Sequence, residues 1–155
     1  KAASNKFHLK KELHLSHQHS PRANETNEHY CRRWVSLKAL KDISKSKKEH
    51  EFDIQISEYE DGAKYLVISS ATKDPFKDNH YRSISVGMLI NKHLHRKLSF
   101  LEDPKIKNQN VGVTCERCAI KNCEVRQVPP TILDKVARNK KIEEIVQKLN
   151  FRKFW

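Results

Sequence analysis

Apolar and polar residues alternate in several stretches of this chain and fall at intervals of three and four in others, which predicts strands and helices together. From Phe7 the apolar residues occupy odd positions, Phe7, Leu9, Leu13 and Leu15, with His8, Lys10, Glu12 and His14 between them, the period of a strand. The next stretch, 16–27, is polar, contains Pro21 and reads as a loop. Its His17 and His19, close to His14, are better taken as loop residues than as metal ligands. A helix is predicted from about Glu28 to Ile43, capped by Thr26 or Asn27, with Glu28 in the first turn and Cys31, Trp34 and Val35 on one face. Trp34 is expected to anchor the core.

After the lysine-rich run SKSKKEH, the stretch EFDIQISEY alternates, which places Phe52, Ile54 and Ile56 inward, and AKYLVISSA follows as its partner. Asp61-Gly62 between them supplies the positive φ of a tight hairpin. HYRSISVGMLI is a further strand, with Tyr81, Ile84, Val86, Met88 and Ile90 suggesting burial on at least one face. Residues 91–97 predict a helical turn and 98–101 a short extended piece. Beyond Pro129 and Pro130, Thr131 caps a helical region in which Leu133, Val136 and Ala137, then Ile142, Ile145, Val146 and Leu149, keep helical spacing. The register shifts near Asn139, so two helices are expected there. The sum is an α+β fold: an antiparallel sheet of about five strands with flanking helices, a GAF- or profilin-like sensor sandwich.

A chain of 155 residues suits one domain with its own core, so residues 1–155 are read as a single regulatory domain with 131–155 as a C-terminal helical extension. The start at Lys1 suggests a fragment of a longer protein, and no apolar run is long enough for a membrane span or a signal peptide. A cytoplasmic location follows as the expectation. The net charge of +12, from 31 basic and 19 acidic residues, favours polyanionic partners such as nucleic acid or a phosphate-bearing coenzyme. A solvated surface explains the same charge, because the lysines are spread along the whole chain and no DNA-reading motif accompanies them. With three glycines there is no phosphate-cradling loop, and neither H-E-x-x-H nor a Ser-His-Asp set can be picked out. An enzyme is not expected.

The chemistry-bearing feature is VGVTCERCAIKNCEVRQVPP, where Cys115, Cys118 and Cys123 read C-x2-C-x4-C. A C-x2-C step turns two thiolates toward one point, and a third shortly after gives three ligands of a tetrahedral site. The remaining cysteine is Cys31, so a closed four-sulfur site requires the fold to bring it in. Structural zinc is the first reading. Unmetallated thiols, an iron–sulfur cluster and a redox-active thiol set remain open, since spacing alone separates zinc from iron poorly. The absence of a second C-x2-C excludes a zinc ribbon.

The segments C-x2-W at Cys31 and Trp34, the E-D-G hairpin with YLVISSAT, SISVGMLI, GVTCERC with Cys123, Arg126 and Pro129-Pro130 resemble the C-terminal domain of short-chain fatty acyl transcriptional regulators, over about residues 5–130. The resemblance implies an XRE-type bacterial regulator in which a helix-turn-helix domain comes first and an ImmA/IrrE-like domain second. It further implies regulation of carbon or fatty-acyl metabolism, DNA contact through the missing helix-turn-helix domain, and an acyl-CoA-like effector whose binding residues are unknown. Arg32 and Arg33 stand where the family places proline, and Glu124 follows the last cysteine in place of proline, which marks a divergent branch. A homodimer is expected through the C-terminal helix, whose end carries Phe151, Phe154 and Trp155. The readings from other classes are a cysteine-based metal or redox sensor and a purely structural oligomerisation module.

Overall fold

A computed structural model describes residues 7–13 and 27–151, without the side chains of 150 and 151. The chain divides into two compact units, one drawn from 1–30 and 113–155, the other from 31–112.

In the unit of 31–112, a helix α1 (Val35–Lys45) precedes three long strands, β1 (His50–Glu58), β2 (Lys64–Lys73) and β3 (Tyr81–Leu89). A short helix α2 (Lys92–Lys97), a 3-10 turn at Ser99–Glu102 and a four-residue strand β4 (Lys107–Asn110) follow. The sheet order is β3-β2-β1-β4. β1–β2 and β2–β3 are antiparallel, and β4 runs parallel to β1 with Ile56 opposite Asn108. Four strands stand where about five were expected among the described residues, and residues 7–13, read as a strand from their alternation, are not one.

The β1–β2 hairpin forms as its sequence predicts. Gly62 takes φ 83°, its N–H donates to the Tyr59 carbonyl at 3.0 Å, and the Asp61 carboxylate accepts from the Ala63 N–H at 3.0 Å. A side chain at residue 62 would be strained in that conformation.

The helix covers the face opposite to the one expected. α1 lies across β1, β2 and β3 and buries Val35, Ala39 and Ile43, Ala39 and Ile43 against Ala71. Around this contact the sheet is polar: Lys38 pairs with Asp53, and the Gln55 amide donates to the Arg33 carbonyl at 3.1 Å and to Ser57 Oγ at 2.9 Å. Phe52, expected inward, is 70% exposed. With it on the opposite face by register lie Ile68, Ile84 and Val86, all exposed. The period of two was read correctly, and on the apolar face Leu66 is fully buried and Ile54 and Ile56 are half-buried, while Phe52 is left open. Small Ser69 and Ala71 let the helix approach closely, and the polar side chains beneath it are all satisfied, which removes the penalty for burying them.

Asn91 caps α2 by accepting from the His93 and Leu94 N–H groups. Residues 98–101, expected extended, instead enter the 3-10 turn at Ser99. β4 reads KNQN and carries no apolar signal.

In the unit of 1–30 and 113–155, the largest element is α3 (Thr131–Phe151), a single helix through Asn139 where two were expected. Its first intrahelical acceptor is the Pro130 carbonyl, bonded to the Asp134 N–H at 3.0 Å, a position that suits proline because it needs no donor. α3 contacts a 3-10 turn at Cys115–Arg117. Residues 28–34 are not helical. Asn27 sits at φ 56° and the helix begins only at Val35, because Glu28, His29 and Tyr30 are committed to tertiary partners described next.

Candidate functional site

The cysteine loop is built on the 3-10 turn of Cys115–Arg117, closed by Cys118 N–H on the Cys115 carbonyl at 3.3 Å. Cys115 and Cys118 are buried and Cys123 is half-buried; all are free thiols. The four residues between Cys118 and Cys123 reverse direction at Asn122, which holds φ 52°, a left-handed conformation that asparagine tolerates better than most residues. Arg126 locks this reversal. Its guanidinium donates to the carbonyls of Cys115 at 3.0 Å, Cys118 at 3.2 Å and Ile120 at 2.6 Å, and its N–H to the Cys123 carbonyl at 3.1 Å. One side chain with five fixed donors thus sets the backbone at Cys115, Cys118 and Ile120, and the main chain of the same residue holds Cys123.

A second set of contacts fixes the loop from residues 28–30. Tyr30 and Thr114 form an antiparallel bridge, and the Cys115 N–H donates to the His29 carbonyl at 2.8 Å. The Glu28 carboxylate, 3% exposed, accepts from Arg117 Nε and Nη2, each at 2.8 Å, and from the Thr114 hydroxyl at 2.6 Å. Hydrogen bonding to Glu28 raises the Arg117 pKa above its ordinary value, with burial opposing. Glu116 accepts from the His29 N–H, at 3.0 Å to its nearer oxygen, and lies 2.7 Å from His29 Nδ1. Both charged residues inside C-E-R-C therefore reach back across more than 80 residues. Sequence reasoning placed Glu28 at a helix start and assigned no role to Glu116, Arg117 or Thr114. The available signal was an ion-forming Glu-Arg pair squeezed between two cysteines, which has to find partners if the cysteines are buried.

Cys31 belongs to the unit of 31–112. Its Sγ accepts from the Gly112 N–H at 3.3 Å, and Trp34 Nε1 donates to the Gly112 carbonyl at 2.9 Å. The C-x2-W pair thus grips both polar groups of one glycine, and Trp34 is half-buried with a polar task as well as an apolar one. Among the described residues, no group of three or more His, Cys, Asp or Glu side chains is set to hold a metal ion. His14, His17 and His19 lie outside the described residues, as do Phe154, Trp155 and the side chain of Phe151.

Compared with known protein families, residues 15–146 match the family described as short-chain fatty acyl coenzyme A regulator, C-terminal. The chain belongs to this family. The match takes in α1, the whole sheet, the cysteine loop and most of α3. Among solved structures the chain is similar to a Mycobacterium tuberculosis transcriptional regulator, at 22% identity and a TM-score of 0.43, over 66% of this chain and 31% of that one. The chain thus spans less than a third of that regulator's length. A search of curated proteins returns no match. Family membership agrees with the resemblance carried by C-x2-W, the hairpin and the cysteine block, and it matches this chain to the C-terminal part of a short-chain fatty acyl coenzyme A regulator.

Proposed function

We propose that this domain senses an acyl-CoA-like effector in a bacterial regulator of carbon or fatty-acyl metabolism. It acts in the cytoplasm as a homodimer and without catalysis, while an XRE-type helix-turn-helix domain, followed by an ImmA/IrrE-like domain, contacts DNA. The observation that carries this reading is the family match over residues 15–146. Two features support it: an apolar sheet face at Phe52, Ile68, Ile84 and Val86 open to an acyl group, and the net charge of +12, which suits coenzyme phosphates. A GAF- or profilin-like sandwich belongs to the same reading, supported by the antiparallel β1-β2-β3 sheet with a helix on one face. Among the described residues no helix is long and apolar enough to cross a membrane. Isothermal calorimetry with acetyl-, propionyl- and butyryl-CoA tests the proposal. Binding that prefers acyl-CoA over free CoA is expected, and no heat at millimolar ligand would remove the effector from the reading.

A second role is favoured by the cysteine loop. We propose that Cys31, Cys115, Cys118 and Cys123 act as thiolate ligands, of zinc first and of an iron–sulfur cluster as the alternative. The support is the C-x2-C-x4-C spacing, the burial of Cys31, Cys115 and Cys118, and a loop backbone held rigid by Arg126. Elemental analysis and the absorption spectrum of protein purified without chelator decide it. About one equivalent of zinc, or visible absorption with bound iron, is expected. Absence of both metals, together with unequal stability losses for Cys31→Ser and Cys118→Ser, would leave four ordinary thiols.

A further inference from the structure

We infer that β3 is a pairing edge for a second copy of this chain, joined antiparallel about Ser85 so that two four-stranded sheets become one. The inference rests on the homodimer part of the reading above and relocates its contact from the C-terminal helix to the sheet.

The two edges of the sheet differ in kind. β4 is four residues long, polar and begins with a lysine, the features that discourage strand addition. β3 is nine residues long, pairs only with β2 among the described residues, and from Ser83 to Leu89 holds no charge, no proline and no bulge. An edge of that length and composition is a template for another strand.

The register says which groups are on offer. The Ile90 N–H donates to the Lys64 carbonyl and the Asp74 N–H to the His80 carbonyl, so even-numbered residues of β3 bond inward to β2. The N–H and C=O groups of Ser83, Ser85 and Gly87 therefore point out from the edge. With Ser85 opposite its own copy and Ser83 opposite Gly87, about six main-chain hydrogen bonds form. Their side chains are small and lie on the α1 side, where Ser85 Oγ donates to Ser69 Oγ at 2.9 Å.

Side chains and charge agree with a second copy in this orientation. Ile84 falls opposite Val86 of the second copy, and Val86 opposite its Ile84. These are 74% and 58% exposed in the single chain, so a strand laid along the edge would cover part of each. The charged residue of each strand, Arg82, near Asp74 at 3.4 Å, lands across from the uncharged Met88 position and at the far end from its counterpart. A parallel pairing in register would set the two arginines side by side. The area covered is small, at the weak end of stable interfaces, below about 1,200 Å² in total, so association in the micromolar range is expected. Each copy carries +12, and added salt should strengthen it by screening that repulsion.

Sedimentation equilibrium of the 155-residue chain across the micromolar range is the test. The mass is expected to climb from 18.2 kDa toward twice that value, more readily at higher salt. Ser85→Pro removes one outward N–H and no β2–β3 bond, and should hold the mass at 18.2 kDa while the circular dichroism spectrum is unchanged. Ile84→Lys should also dissociate the pair, and Ile84→Lys with Val86→Glu should restore it by setting opposite charges across the seam. A mass of 18.2 kDa at every concentration overturns both the edge and the homodimer. A dimer that survives Ser85→Pro but is lost when Ile142, Ile145 and Leu149 are changed to Glu overturns the edge alone and returns the contact to α3.

Discussion

Arg126 spans three carbonyls of the cysteine loop with a planar fork that no other side chain reproduces. Arg126→Gln should leave at least two of those acceptors without a partner, lower stability by about 1–3 kcal/mol, and make Cys115 and Cys118 react faster with a thiol reagent. A thiol titration beside a melting curve measures both. Lys38 offers a pH test. Its hydrogen bond to Asp53 raises its pKa above the ordinary value, against some desolvation, so the charged form is favoured in the fold. A raised pKa contributes stability that is present at neutral pH and is lost as pH climbs through the alkaline range above about 10.4. Lys38→Met should lower stability modestly at pH 7, the effect being small because the side chain is half exposed, and the two curves should converge as pH climbs through the alkaline range. The cysteines themselves were legible from spacing. The roles of Glu28, Glu116 and Arg117 were not, because a tertiary partner 80 or more residues away leaves no local periodic trace, and that of Arg126 was not, because its acceptors are backbone carbonyls of an irregular loop.

Among the elements, the hairpin was readable from Asp61-Gly62 and from the alternation on either side of it, both local. Which face of the sheet would be covered was not, since that depends on where α1 comes to rest. The assignment has a measurable consequence. Phe52→Ser should cost less than about 0.5 kcal/mol, while Leu66→Ala on the same face, where residue 66 is fully buried, should cost about 2–5 kcal/mol. Equal losses in urea unfolding would show that residue 52 is covered after all. α1 was misread for a related reason: the segment 28–34 has helical spacing, yet the Glu28–Arg117 pair and the Tyr30–Thr114 bridge engage residues 28–30, and a turn closed by the Trp34 N–H on the Cys31 carbonyl follows before the helix starts at Val35. α3 was predicted as two helices because its apolar stripe slips at Asn139, and a helix that leaves Val136, Ile142, Ile145 and Leu149 exposed is not required to keep one stripe.

For the whole molecule, composition gave a basic, water-facing protein, and the charge has a simple expected outcome. Nucleic acid should be retained weakly and without sequence preference at low ionic strength and released as salt rises, because displaced counterions and not base contacts drive the binding. A mobility-shift titration at two salt concentrations checks this, and sequence-selective binding that persists at high salt would contradict it.

The Tyr30–Thr114 bridge and the Cys31–Gly112 contact have a topological consequence. The chain leaves one unit at Tyr30 and re-enters it at Val113, and the two ends of the unit between, Cys31 and Gly112, are within hydrogen-bonding distance. Residues 31–112 are thus arranged like a cassette, and a segment whose ends meet can be cut out or rewired without stretching its backbone. A circular permutant of 31–112, joined by a short linker between Gly112 and Cys31 and opened in the loop 74–80, should retain the β1–β2 and β2–β3 registers, read as the same cross-strand contacts by NMR.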